Sequence, residues 1–247
     1  MKSYSEFAQI YDRLMNKDVD YEKYADYIEN LFDLHDVNPE LVCDLACGTG
    51  NITIPFARRG YNMTGADRSA DMLDIARQKS TGLDILYLNQ SIEKLDLYGT
   101  MGAFLCMVDG FNYIISPKVL EYALHRIRTC FIDNGGVLVF DVSSRYKIQN
   151  IIGDNTFIHS EEDIFYSWRN RYIKRHNLSE MLLDFFVKDG KGYKRFEERH
   201  LQRAWSEEEL RYILRRAGFE NVHTYGYLSF NSPTPDEERI VFLCKAE

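Results

Sequence analysis

Asp44-Leu45-Ala46-Cys47-Gly48-Thr49-Gly50-Asn51 is the stretch on which the reading of this 247-residue chain turns. It grows out of Leu41-Val42-Cys43-Asp44-Leu45, an apolar run of strand length. It opens residues 50–59, a helical segment with Pro55 near its first turn and Gly60 just past its end, both tolerated places. Two glycines at i and i+2 between a strand and a helix let the backbone approach a ligand that side chains would block. In a doubly wound sheet, ligands bind beyond the carboxyl ends of the strands, and this loop is predicted to lie at such an end.

Working outward, a regular alternation appears. Residues 61–66 read as a second strand, and Ser69 caps a helix to about residue 79 with Asp71 in its positive first turn. Residues 83–88 and 102–108 read as a third and a fourth strand. Ser116-Pro117 starts a helix whose Leu120, Leu124, Ile127 and Phe131 face one way, and Gly135-Gly136 leads into the apolar Val137-Leu138-Val139-Phe140-Asp141-Val142. Strands apolar on both faces, separated by amphipathic helices, predict a parallel sheet covered on both sides. Before them, Phe7, Ile10/Tyr11 and Leu14, then Tyr21, Tyr24, Ile28 and Leu31/Phe32, recur at helical spacing up to Pro39.

After Ser143 the rhythm changes. Residues 165–173, 181–187 and 193–205 alternate, with a hairpin turn at Lys188-Asp189-Gly190-Lys191-Gly192, so a three-stranded antiparallel meander is expected. Ser206-Glu207-Glu208-Glu209 is a capping box opening a helix that Gly218 ends. Two closing strands are expected near 222–230 and 239–244. The predicted organisation is a helical cap over 1–40, an α/β domain formed by 41–144 and 206–247, and a β insertion over 145–205. In the insertion, Arg169, Arg171, Arg195, Glu197 and Arg199 can face water, while Tyr166, Trp168, Tyr172 and Phe196 need cover. The nearest uncovered apolar surface is the ligand-binding mouth around Tyr11, so the insertion is expected to act as a lid, the alternative being a purely structural or dimerising sheet.

Composition fits this picture. Thirty Lys+Arg against 38 Asp+Glu give a net charge of −8; apolar residues are 45% and charged residues 28%, with only 15 Gly and 5 Pro. That excludes collagen-like and disordered classes and argues against a broad nucleic-acid or anionic-membrane surface. No segment reaches the roughly 18–20 uncharged residues of a membrane helix. The opening Met1-Lys2-Ser3-Tyr4-Ser5-Glu6 has no apolar secretion core, and the five cysteines read as buried reduced thiols, so a cytoplasmic setting is expected. Cys43 and Cys47 lack a second Cys/His pair, and no metal site is expected.

The chemistry begins with Asp67, a strand-end acid about twenty residues past the glycine loop, placed to accept hydrogen bonds from both hydroxyls of a ribose. Two cofactors fit such a nucleoside site, a dinucleotide or S-adenosylmethionine. The dinucleotide fingerprint needs a third glycine where Thr53 stands. Asp44 is an anion near where a pyrophosphate would lie, and it suits a cationic methionyl amine better.

The sequence resembles the class I S-adenosylmethionine-dependent methyltransferases. Residues Asp44 to Asn51 resemble the family's first motif, and Gly65-Ala66-Asp67-Arg68-Ser69-Ala70-Asp71-Met72 its second. Phe104-Leu105-Cys106-Met107-Val108-Asp109-Gly110-Phe111-Asn112-Tyr113 resembles the motif near the transferred methyl, and residues 135–141 the fifth strand. Phe7-Ala8-Gln9-Ile10-Tyr11-Asp12 resembles an amino-terminal segment whose tyrosine closes over the methionine end. As a whole, the chain is similar to small bacterial methyltransferases of unassigned substrate that carry a β insertion.

The resemblance implies a seven-stranded Rossmann-like α/β sheet with an antiparallel carboxyl-terminal strand. It implies cofactor contacts from Asp44, Ala46, Cys47, Gly48, Gly50, Asp67, Arg68, Met72, Gln90, Ser91, Ile92 and Met107, and a reacting centre at Tyr11, Asn112 and Tyr113. Many members place an acid on the adenine amino group; here Asn89-Gln90-Ser91-Ile92 offers the Gln90 carbonyl instead.

Methyl transfer from a sulfonium is an in-line displacement that needs positioning, and a base only if the acceptor must lose a proton first. No Asn/Asp-Pro-Pro-aromatic signature follows the fourth strand, and Cys106 and Cys130 lack a Pro-Cys context. A small-molecule acceptor, N- or O-directed, is therefore expected, in a monomer or homodimer. His159, His176 and His200, in the insertion, are base candidates; His35, His125 and His223 read as structural or surface residues. A dinucleotide-dependent oxidoreductase and a non-catalytic cofactor-binding module are the alternatives.

Overall fold

The computed structural model describes residues 7–247; residues 1–6, Tyr4 among them, lie outside these. Two helices, α1 (Ala8–Asp18) and α2 (Tyr21–Leu34), precede the sheet, and Asp20 caps α2 by accepting the Lys23 amide. The α/β domain then runs β1 (Leu41–Leu45), α3 (Thr53–Arg58), β2 (Asn62–Ala66), α4 (Ala70–Lys79), β3 (Ile85–Leu88), β4 (Met101–Cys106), α5 (Pro117–Arg126) and β5 (Ile132–Ser143). Among the described residues, these five strands pair in parallel, and β11 (Arg239–Lys245) joins β5 antiparallel with β10 (Asn221–Gly226) outside it. The seven-stranded order is β10-β11-β5-β4-β1-β2-β3.

Burial explains the order. β1, β4 and β5 are the central strands, and Val42, Cys43, Phe104, Leu105 and residues 137–140 are fully inaccessible. One apolar layer holds α5 and α6 (Glu207–Ala217) against the sheet, and the opposite layer holds α2. The Ser206 hydroxyl accepts the Glu209 amide while the Glu209 carboxylate accepts the Ser206 amide, the reciprocal cap expected from the sequence. Helix α3 is shorter than expected, because residues 50–52 form the turn that brings the glycine loop into it. The α5 helix widens into a π turn over Ile127–Phe131. Of the cysteines, Cys130 is exposed and the other four are buried thiols.

The insertion has four strands, one more than expected: β6 (Thr156–Ser160), β7 (Ile164–Ile173), β8 (Leu178–Asp189) and β9 (Gly192–Arg203), in that spatial order. The register aligns Tyr166 with Phe185 and Phe196, Trp168 with Leu183, and Met181 with His200, so these share one face. The opposite face pairs Arg169 and Arg195 with Asp184, and Arg171 and Arg199 with Glu180. The arginines of these pairs are exposed and the two carboxylates are buried beneath them. Among the described residues, no helix is long and apolar enough to cross a membrane.

Trp205 fixes how the insertion re-enters the core. It is 1% exposed, and its indole N–H donates to the Phe111 carbonyl at 3.1 Å. Trp205→Ala is expected to lower stability by about 3–5 kcal/mol, the cost of a large aromatic cavity with an unmet carbonyl. Denaturant unfolding measures this, and a loss below about 1 kcal/mol would show that Trp205 does not carry the junction.

Candidate active site

A cavity of about 1140 Å³ opens over the carboxyl ends of β1 to β4. One drug-sized ligand takes on the order of 300–1000 Å³, so the space admits a cofactor and a second molecule. Its floor is Ala46, Gly48, Asp67, Arg68, Met72 and residues 90–93; α1 contributes Phe7, Tyr11 and Leu14, and the insertion contributes Tyr166, Trp168, Phe185 and His200.

The glycine loop is held by Asp67. The Gly48 amide donates to one carboxylate oxygen at 2.9 Å and the Ser69 amide to the other at 2.7 Å. Burial pushes the Asp67 carboxyl upward from its ordinary value, and the two amides oppose that shift. Each oxygen keeps lone-pair capacity for a ribose hydroxyl. Gly48 has φ +55°, which favours glycine, and no atom lies within 4 Å of where its side chain would begin. That open space beside an anchored carboxylate fits an adenosyl group.

Several expected residues stand elsewhere. Asp44 is buried behind the cavity wall and accepts the Thr53 hydroxyl at 2.6 Å; burial pushes its carboxyl up to about 7, so it supports the loop from beneath. Cys47, Gly50 and Met107 are buried and do not line the cavity. Gln90 is on the wall, but its side-chain carbonyl accepts the Asp96 amide at 2.8 Å and its amide donates to the Asp96 carbonyl, so it is not turned to adenine. Ser91 and Ile92 line that part of the cavity.

Asn112 is corrected more firmly. It is inaccessible, donates to the carbonyls of Ser143 and Arg203 at 3.1 and 2.9 Å, and accepts the Ser143 amide at 3.1 Å. Its amide joins β4, β5 and the end of β9, and does not reach the cavity. Tyr113 does: its hydroxyl lies 3.3 Å from His200 Nδ1, and the Arg68 guanidinium is 6.0 Å from its ring centre. Burial, then the Arg68 charge, push His200 down to about 4, so its imidazole is neutral near pH 7. Burial and the neighbouring Tyr21 push the Tyr11 phenol upward, so it too is neutral. His159 instead pairs with Glu161 at 2.6 Å, and His176 is exposed.

A buried ion cluster that the motifs did not single out forms another part of the wall. Arg239 donates to Asp109 at 2.7 and 3.1 Å and to Asp141 at 2.6 Å. Asp141 also accepts the amides of Val108 and Asp109, whose φ values are +57° and +69°. Burial pushes Asp141 upward, whereas Asp109, also buried, is pulled below its ordinary value by Arg239. The signal available in the sequence was Asp141 itself, a charge inside an apolar strand run. Among the described residues, no group of three or more His, Cys, Asp or Glu could hold a metal ion.

Arg239→Met leaves both carboxylates buried without a counter-charge and is expected to cost about 3–5 kcal/mol at neutral pH. The orphaned carboxyls then have raised folded-state pKa values, so they take up protons on folding and the deficit shrinks as pH falls. Urea melts between neutral and mildly acidic pH check this; a deficit that is absent, or that grows on acidification, would contradict it.

Comparison with known proteins agrees with the geometry. Residues 42–135 match the family described as "Methyltransferase domain". The Bacillus subtilis (strain 168) protein YqeM is 33% identical over 246 residues, covering 97% of this chain and 95% of that one. The crystal structure of an S-adenosylmethionine-dependent methyltransferase from Clostridium acetobutylicum ATCC 824 superposes with a TM-score of 0.89 at 34% identity, covering 98% of each chain. A Streptomyces fradiae dTDP-3-amino-3,6-dideoxy-alpha-D-glucopyranose N,N-dimethyltransferase is 28% identical over 135 residues, 54% of this chain and 52% of that one. The dinucleotide alternative is thereby set aside. On identity that extends over nearly the whole of both chains, with Asp67 and the glycine loop in the expected place, the chain belongs to the S-adenosylmethionine-dependent methyltransferases.

Proposed function

We propose that the acceptor is an amine nitrogen on a small molecule with an apolar or aromatic body, and that the insertion is the lid of its pocket. The carrying observation is the aromatic lining of the cavity, where Tyr11, Tyr113, Tyr166, Trp168 and Phe185 stand together with a neutral His200 whose ring lies 5.8 Å from that of Tyr113. Aromatic faces attract ammonium groups and alkylated amines by about 0.5–2 kcal/mol per contact. Exposed Asp18, Asp236 and Glu238 at the cavity margin add a negative field that concentrates cations. The amino-sugar relative from Streptomyces fradiae is consistent with this reading.

Bound S-adenosylmethionine supplies an electrophilic methyl on a sulfonium. Asp67 and the backbone of Gly48 would hold its ribose, and Met72 and Ile92 its base. The acceptor nitrogen attacks with its own lone pair, so the protein's task is alignment and exclusion of water. A buried imidazole with a pKa near 4 is a weak proton acceptor, and the Tyr113–His200 pair is assigned to orienting the amine. Five unpaired thiols, four of them buried, support a cytoplasmic setting, and the protein acts as a monomer or homodimer.

Purified protein with methyl-labelled cofactor and a metabolite panel tests this. Label should pass to amines and not to their hydroxyl analogues. The rate should rise with pH through the amine's own pKa, because only the uncharged amine attacks. Transfer to oxygen alone would overturn the amine assignment. Separately, Asp67→Ala should weaken S-adenosylhomocysteine binding by roughly 1.5–3 kcal/mol, since two hydrogen bonds to a charged group are lost. Calorimetry showing unchanged affinity would refute the ribose assignment.

A further inference from the structure

Helix α1 is fastened to both sides of the cavity by consecutive residues. On one side, the Asp12 carboxylate accepts the Thr49 hydroxyl at 2.5 Å and the Asn51 amide at 2.9 Å through one oxygen, and the Lys79 ammonium at 2.6 Å through the other. Thr49 and Asn51 flank Gly50, so this carboxylate grips the glycine loop on both sides of its second glycine. Lys79, in the last turn of α4, also donates to the Asn51 carbonyl. Three donors therefore meet on a side chain only 24% exposed. On the other side, Arg13 donates to Asp163 at 2.8 Å and to Glu161 at 3.3 Å, and Lys17 pairs with Glu161. Glu161 and Asp163 sit in the turn between β6 and β7.

The two attachments differ in strength. Charge-assisted bonds on a partly buried carboxylate are roughly twice as strong as neutral ones. The Arg13 and Lys17 side chains are 40% and 55% exposed and Asp163 42%, against 31% for Lys79. Glu161, at 17%, is the one sheltered member of the outer set, and pairs with cations this exposed contribute little and are screened by salt. Tyr11 lies beside Asp12 and on the cavity wall.

We propose that Asp12 is a positioning residue for methyl transfer. It pins α1, and with it Tyr11, onto the cofactor loop, while Arg13 and Lys17 form a weaker latch to the insertion that opens when cofactor and product exchange. The inference rests on the cofactor site and not on the choice of acceptor. Asp12 touches neither reactant; it acts through Thr49, Asn51 and Tyr11.

The test follows release of labelled S-adenosylhomocysteine from the full chain, chased with unlabelled compound, at low and high salt. Asp67→Ala serves as the control for the site itself. Asp12→Ala should release about tenfold faster with little change in association, the loss expected from one set of bonds to a charged group. Asp12→Asn keeps an acceptor for Thr49 and Asn51 but loses the charge facing Lys79, and should fall between. Arg13→Ala should release a few-fold faster, and should lose the salt acceleration that the wild type shows. Circular dichroism confirms that each variant is folded, and Asp12→Asn carries the test if Asp12→Ala does not fold. Wild-type release from the folded Asp12 variants, or a loss confined to association, would overturn the proposal. Weakened binding in Asp67→Ala with unaltered release in the Asp12 variants would leave the cofactor site standing and remove only this inference.

Discussion

A carboxylate inside a buried strand must be met by donors, and at Asp141 three meet it: the amides of Val108 and Asp109 and the guanidinium of Arg239. The rest of the site depends on that convergence. Val108 and Asp109 adopt left-handed backbone conformations that cost on the order of 1–3 kcal/mol each, and they persist because Asp141 holds both amides. Gly110 follows because a side chain there would begin 2.5 Å from the Cys106 sulfur. The short turn Gly110–Tyr113 then sends Asn112 into the core and Tyr113 into the cavity. The antiparallel strand β11 has a functional reason in this scheme, because it delivers Arg239 to the ends of β4 and β5.

Above that floor, enclosure comes from two pieces that bracket the α/β domain in sequence. Helix α1 precedes it, and the β insertion interrupts it between β5 and α6. They meet over the cavity, where Phe7 packs at 5.2 Å from Phe185 and 6.1 Å from His200. Neither piece has a large core of its own; one small cluster joins Phe7 and Ala8 to Phe185 and Met72, and another, around Ile148, Ile152, Met181 and Ala204, lies within the insertion. Segments stabilised so locally are where opening motions are expected, and exchange of cofactor and acceptor requires such motion.

What the sequence made legible follows the range of each interaction. The apolar runs of β1, β4 and β5 and the position of the glycine pair and Asp67 at strand ends are local patterns legible in the sequence, whereas the hydrogen bonds of Asp67 to the Gly48 and Ser69 amides were not. The alternation of β7 to β9 exposed the insertion and its two faces. Strand β6 escaped because it is a short edge strand, with a single pairing neighbour. The partners of the Asn112 and Gln90 amides were not legible, because an amide follows whatever backbone group is near it, and those partners are backbone groups of Ser143, Arg203 and Asp96. Asp12 and Arg239 act across 37 and 98 or more residues respectively, beyond the reach of any local spacing rule.

The most direct test of the central claim is a crystal structure of the protein with S-adenosylhomocysteine. The predicted result places both ribose hydroxyls on Asp67, the adenosyl group across Gly48, and the sulfur turned toward Tyr11 and Tyr113 beneath the rings of the insertion. An adenosyl group bound away from Asp67, or a sulfur pointing away from the Tyr113–His200 wall, would contradict it.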